Sequence, residues 1–148
     1  MSYTTQMDAA RQGIITPEMK AVAASEHIAE DELRELIALG QVIIPANKNH
    51  KCLKPNGIGS RLRTKINVNL GTSRDWTDLD MEMEKVKSAV DMGAEAIMDL
   101  SSCGDTQKFR RKLTSECPAT IGTVPIYDAV VYYCLLYTSP SPRDGATS

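Results

Sequence analysis

Apolar positions change rhythm near residue 40: before it they recur at helical spacing, and after it short apolar runs alternate with longer helical stripes. Thr4 is placed to cap a first helix running through Gln12, with Gly13 as its stop. Thr16-Pro17-Glu18 then sets an N-cap ahead of a proline at the first helical position of a second helix. A third is predicted over Glu30 to Leu39, where Leu33, Leu36 and Ile37 fall on one face and Gly40 supplies a left-handed stop.

Val42 to Ile44 reads as a short buried strand ended by Pro45. The polar stretch from Ala46 to Arg61, with Asn47, Asn49, His50, Asn56, Gly57 and Gly59, reads as a loop, and a loop of that length inside a compact domain tends to be functional. Within it His50 is expected to be structural or exposed. Beyond the loop, strands are predicted over Lys65 to Asn69, Ala96 to Leu100 and Thr120 to Val124. Helices are predicted over Asp78 to Met92, on the stripe Leu79, Met83, Val86 and Val90, and over Asp105 to Glu116, on Phe109 and Leu113. A further helix starts near Ile126. Strand and helix in alternation predict an α/β fold with a parallel sheet and crossover helices.

Within that rhythm Asn69, Met98 and Tyr127 recur at intervals of 29 residues, each at or just past the end of a predicted strand. They therefore fall at the same place in successive βα units. That place is the catalytic rim of an eight-fold barrel or the ligand crevice of an open doubly wound sheet. Periodicity leaves both open.

Composition narrows the partners. A chain of 148 residues with 42% hydrophobic content and a net charge of −2 offers no basic surface for nucleic acid or an anionic membrane. No apolar run approaches the roughly 20 residues of a bilayer span, and the start lacks a signal-peptide layout, so a cytoplasmic protein is expected. Cys52, Cys103, Cys117 and Cys134 form no Cys-x-x-Cys pair and are read as free thiols without metal-site spacing. From Cys134 to Ser148 the composition shifts to Ser, Pro and Thr, and this tail is read as a non-native, adaptor-like translation outside the fold.

Four groups of residues are distinctive together: Thr4-Thr5-Gln6-Met7 with Ala10 to Met19; Ile43-Ile44-Pro45-Ala46-Asn47 with Asn49-His50; Lys65 to Gly71; and Met98-Asp99-Leu100-Ser101 with Gly122 to Tyr127. In order and spacing, from about residue 2 to 133, they resemble the phosphomethylpyrimidine synthase family in its short form. The resemblance implies a (βα)8 barrel, with residues 1–40 as an N-terminal helical segment and 41–133 as the first part of the barrel. It implies carbon–carbon lyase chemistry with S-adenosylmethionine, a 4Fe-4S cluster and zinc, turning 5-aminoimidazole ribonucleotide into hydroxymethylpyrimidine phosphate for thiamine. A homodimer is the family's usual state. The cysteine triplet and histidine ligands that hold the metals in the family have no match here, so the chain is expected to be an N-terminal fragment, inactive by itself.

The resemblance makes Asn69, Met98 and Tyr127 substrate-binding positions, the three that strand spacing selects. An Asn amide donates and accepts, a Tyr hydroxyl suits a phosphate or sugar oxygen, and a Met thioether makes an apolar wall for a flat ring. Asp99 is placed to orient a ligand or cap the next loop, and Ser101 to Gly104 to turn backbone N–H groups toward a phosphate. Cys103 has no neighbouring base in sequence and is not read as catalytic. The competing reading is a small α/β module that binds a nucleotide-like ligand without catalysis. Two raw sheet edges in a fragment also predict aggregation or a molten state.

Overall fold

A computed structural model describes residues 3–133, in which helices α1 (Gln6–Arg11), α2 (Pro17–Glu26) and α3 (Glu30–Ala38) precede a mixed α/β region. Thr5, rather than Thr4, caps α1: its side chain accepts from the Asp8 N–H, while the Thr4 N–H donates back to the Asp8 carboxylate at 3.0 Å. Thr16 caps α2 by accepting from the Met19 N–H, with Pro17 at the position where its missing N–H costs nothing. Gly13 and Gly40 adopt the positive φ that stops α1 and α3. Arg34 reaches across to the Ala10 carbonyl and Arg11 to that of Ala38, so α1 and α3 satisfy each other's ends.

Strand β1 (Val42–Ile43) pairs antiparallel with β2 (Ile58–Gly59), which lies inside the stretch expected to be unstructured. Gly59 makes this possible, since a Cβ there would lie 2.1 Å from the Gln41 carbonyl oxygen. Val42 and Ile44 are buried with the helices, in a core built on Ala9, Met19, Val22, Leu33 and Ile37. That packing runs on across residue 40 as far as Leu62.

The second core belongs to a three-stranded parallel sheet ordered β3 (Asn67–Leu70), β4 (Ala96–Asp99), β5 (Thr120–Thr123). Helices α4 (Leu79–Asp91) and α5 (Thr106–Glu116) connect these strands, and α6 (Pro125–Tyr133) follows β5. Leu70 and Ile97 pack with Met83, Val86 and Ala89 of α4 and Phe109 and Leu113 of α5. Because side chains alternate along a strand, the other face carries Asn67, Asn69, Ala96, Met98, Thr120 and Gly122. Among the described residues, the helix side chains of this core pack on the Leu70 and Ile97 face and none is grouped with the other.

Two joints bind the cores. Glu26, at the end of α2, accepts the Lys65 ammonium at 2.6 Å and the Arg63 N–H at 2.8 Å. Arg63 also pairs with Glu95, whose carboxylate accepts the Ile66 N–H ahead of β3. On the second joint the loop after β1 lies against the turn before β5: His50 Nε2 donates to the Cys117 carbonyl at 2.6 Å, Cys52 Sγ bonds the same oxygen, and the Lys54 N–H donates to the Pro118 carbonyl. The structural role expected of His50 is thus explicit. The segment beyond Tyr133, read as non-native, lies outside the described residues. No helix among the described residues is long and apolar enough to cross a membrane.

At Glu26 burial raises the carboxyl pKa, but the Lys65 and Arg63 bonds outweigh it and hold the group below its ordinary value of 4.5. A depressed carboxyl stabilises above its unfolded pKa and loses that contribution as pH falls through the folded one. The protection factor of the Arg63 amide should therefore be high at neutral pH and be lost only as pH falls below the ordinary carboxyl value of 4.5, and Glu26→Ala, which removes the acceptor, should lower it at every pH. Among the described residues the outer edges of β3 and β5 are unpaired, so size-exclusion chromatography with light scattering should show concentration-dependent self-association of the chain alone. A monomer with one sharp melt would contradict that expectation.

Candidate functional site

The polar face of the sheet puts two of the three predicted residues side by side. Asn69 and Met98 are register partners, and the next position across is Gly122. A Cβ on Gly122 would lie 2.7 Å from the Met98 methyl carbon and 2.9 Å from its sulfur, so the missing side chain is the seat of the Met98 thioether. Asn67 Nδ2 donates to Asn69 Oδ1 at 2.8 Å. The Asn69 carbonyl thereby accepts one bond and keeps a second lone pair, and the exposed side chain can both donate and accept.

Tyr127 lies elsewhere. It is the third residue of α6, 39% exposed, with its N–H bonded to the Val124 carbonyl. The equal 29-residue spacing therefore does not mean equivalent places in the units. The second unit is shorter than the first, with α5 at 11 residues against 13 in α4 and tighter turns on either side. Register matches Met98 to Gly122, and Tyr127 reaches the same end of the sheet from the helix that follows. The groove along α4 that Asn69 lines includes neither Met98 nor Tyr127.

Beyond the strand ends, the two loops are zipped together. Thr72 N–H donates to Ser101 Oγ at 3.1 Å, Thr72 Oγ1 to the Cys103 carbonyl at 2.6 Å, and Ser102 N–H to the Thr72 carbonyl at 3.0 Å. Gly71 permits this at φ 145°, because a Cβ there would stand 2.4 Å from the Ser101 nitrogen. Its own N–H donates to Glu82, a fully buried carboxylate that also takes the Lys85 ammonium at 2.5 Å. The Ser101 N–H donates to Asp99. The Ser101–Gly104 turn thus spends the Ser101 and Ser102 amides on the protein, and they are not offered to a phosphate.

Asp99, fully buried, is the centre of a network that sequence reasoning missed. One oxygen accepts the Ser101 N–H at 2.9 Å and the other accepts Arg110 Nε at 2.7 Å. Arg110 also pairs with Asp128, in the first turn of α6, and Thr106 Oγ1 donates to the other Asp128 oxygen at 2.9 Å. Burial opposes the Arg110 charge, yet the bonds to Asp128 and Asp99 raise its pKa above the ordinary guanidinium value. The available signal was Met98-Asp99 and Tyr127-Asp128: an acid follows each of two candidate ligand contacts.

The three described thiols do not fit a cluster. Cys52 and Cys117 meet at the entry end of β5, while Cys103 sits in the loop at the exit end of β4. Cys117 is buried, and burial pushes its thiol up from the ordinary value. Among the described residues no three His, Cys, Asp or Glu side chains are grouped to hold a metal ion. Neither the 4Fe-4S cluster nor the zinc implied by the resemblance finds a ligand set there.

Two glycine substitutions should separate scaffold from contact surface. Gly71→Ala meets backbone atoms and is expected to cost about 1–3 kcal/mol, seen as lost amide protection at Thr72 and Ser102. Gly122→Ala meets only the flexible end of Met98 and should leave those amides protected while displacing the thioether, visible as a shifted Met98 methyl resonance.

Comparison with known proteins identifies a family. A family model described as the radical SAM ThiC family matches residues 5–140. A phosphomethylpyrimidine synthase of Clostridioides difficile is 64% identical over 132 residues, 89% of this chain and 30% of that protein. One from Alkaliphilus oremlandii is 65% identical over 133 residues, again 30% of its length. A third, from Clostridium kluyveri, is 56% identical over 144 residues, 97% of this chain and 33% of that protein. The chain thus spans about a third of the relatives it matches, and on this ground it belongs to the radical SAM ThiC family.

Proposed function

We propose that this chain provides the opening βα units of a (βα)8 barrel in a phosphomethylpyrimidine synthase. The complete enzyme converts 5-aminoimidazole ribonucleotide into 4-amino-5-hydroxymethyl-2-methylpyrimidine phosphate, a carbon–carbon lyase reaction in the cytoplasm. The observation that carries the reading is the helix-free sheet face on which Asn69 and Met98 are register partners, at the strand ends where parallel α/β enzymes bind ligands. A closed barrel would turn that face inward and pair both raw edges.

On this reading Asn69, Met98 and Tyr127 bind the ribonucleotide. Asn69, whose carbonyl also accepts from Asn67, donates to an acceptor such as a ribose oxygen or ring nitrogen and keeps a lone pair for the exocyclic amine. Met98, seated on Gly122, offers its polarizable flank to the imidazole. The exposed Tyr127 hydroxyl suits the sugar or phosphate. S-adenosylmethionine, the 4Fe-4S cluster and zinc enter as the family's reagents, with ligands outside the described residues, and the complete protein is a homodimer.

The test is a chimera of the Clostridioides difficile relative in which residues 2–133 of this chain replace the matching segment, with the cluster reconstituted under anaerobic conditions. It should form the pyrimidine phosphate from aminoimidazole ribonucleotide. In that background Asn69→Ala should raise KM about ten-fold, the scale of one lost hydrogen bond to substrate. A cluster-loaded chimera that makes no product would overturn the functional reading. Unchanged kinetics in both Asn69→Ala and Met98→Ala would overturn the site.

A further inference from the structure

Tyr127 is offered from a helix rather than from a strand, so something must fix that helix against the sheet. Hydrogen bonding within α6 does not, since it leaves the helix free to shift as a body. Among the described side chains, the hydrogen bond and ion pair that cross from α6 to the rest of the unit fall on one residue next to Tyr127. Asp128 receives Arg110 on one oxygen and Thr106 on the other. Arg110 in turn is bonded to Asp99, which follows Met98 in the chain and is 0% exposed. Its second anchor is Ser101, through the backbone N–H. The two candidate contacts to the ligand, Met98 and Tyr127, therefore each stand one residue from an acid, and one guanidinium holds both acids.

We propose that Arg110 and Asp128 are positioning residues for substrate binding, setting the distance between the Tyr127 hydroxyl on α6 and the Met98 thioether on β4. The claim rests on the site reading above and adds to it two residues that do not touch the ligand. The geometry favours this role over plain stabilisation of the fold. Asp99 already has a backbone partner in Ser101, and α5 is anchored by Phe109 and Leu113 in the apolar core. What the Arg110–Asp128 arm adds is the placement of the first turn of α6. A planar fork with two fixed donors transmits position in a way that a flexible ammonium does not.

Removing Arg110 outright would strand a buried carboxylate and risk misfolding. The tests are therefore Arg110→Lys, which keeps the charge and loses the fork, and Asp128→Asn, which keeps the Arg110–Asp99 bond and weakens the arm to α6. Both are made in the cluster-loaded chimera, alone and combined with Tyr127→Ala, and the steady-state constants for aminoimidazole ribonucleotide are measured. Each single variant should raise KM about five- to ten-fold with kcat within two-fold, and Asp128→Asn should add no further increase to Tyr127→Ala, because coupled residues are non-additive. Additive effects of Asp128→Asn and Tyr127→Ala, or an Asp128→Asn variant with unaltered KM, would overturn the proposal. If Tyr127→Ala by itself leaves KM unchanged, Asp128 has no ligand contact to position, and the proposal falls together with the assignment of Tyr127. A parent chimera without activity would instead reject the functional reading, which separates the two failures.

Discussion

A carboxylate taken wholly out of water needs partners that do not move, and at Asp99 that requirement organises the end of the central strand. It must sit where a backbone N–H and a guanidinium can both reach it, and Ser101 and Arg110 answer from the following loop and the following helix. Arg110 is itself largely buried, and its second fork is met by Asp128 of the next unit. Strand, loop, crossover helix and the start of α6 are thereby held as one body. The network carries two acids and one base, so it is stable only while the geometry that shares the single cation is kept. That rigidity is of more use to a binding site than to the fold, whose apolar core already holds α5 in place.

The same economy appears at the other end of the sheet. The long polar loop after β1 looks in sequence like a candidate active-site element, yet its His50, Cys52 and Lys54 are spent on the Cys117–Pro118 turn before β5. That is the entry end of the strands, whereas Asn69, Met98 and Tyr127 lie toward the exit end. A loop that docks under the sheet and a Glu26–Lys65–Arg63–Glu95 chain that ties α2 to β3 fasten the helical segment to the sheet away from the candidate site. The helical segment is thus a support for the sheet.

Elements governed by local chemistry were legible in the sequence. Thr16-Pro17, Asp78 and Asp105 each begin a helix, and Gly13, Gly40 and Gly93 stop one, because caps and positive-φ stops are decided within a few residues. The parallel order of three strands followed from apolar runs alternating with helical stripes. Pairing between distant segments was not legible. The β1–β2 ribbon depends on Gly59 fitting against Gln41, and nothing in the local pattern of Ile58-Gly59 announces a strand. Register was misread for a related reason. Equal sequence intervals imply equal places only if each crossover has the same length, and α5 with its turns is shorter than α4 with its own. The ion network was missed because Arg110 lies on a helix face whose charges read as solvated until the fold buries it.

Why the polar face stays polar is a question of closure. A sheet covered by helices on one side alone normally presents either solvent or a second layer on the other. Here that face holds Asn67 and Asn69 with an internal hydrogen bond, a methionine seated over a glycine, and a threonine hydroxyl at Thr120 that is shielded from water without a partner. Such a mixture suits neither bulk water nor a dry sheet-on-sheet core, where the Asn side chains would have to find partners. It suits a surface that curves round to enclose a polar, ring-bearing ligand, with the unpaired edges of β3 and β5 as the lines along which the enclosure continues. The proposed barrel would answer both demands at once, because closure turns this face inward and pairs the edges of β3 and β5.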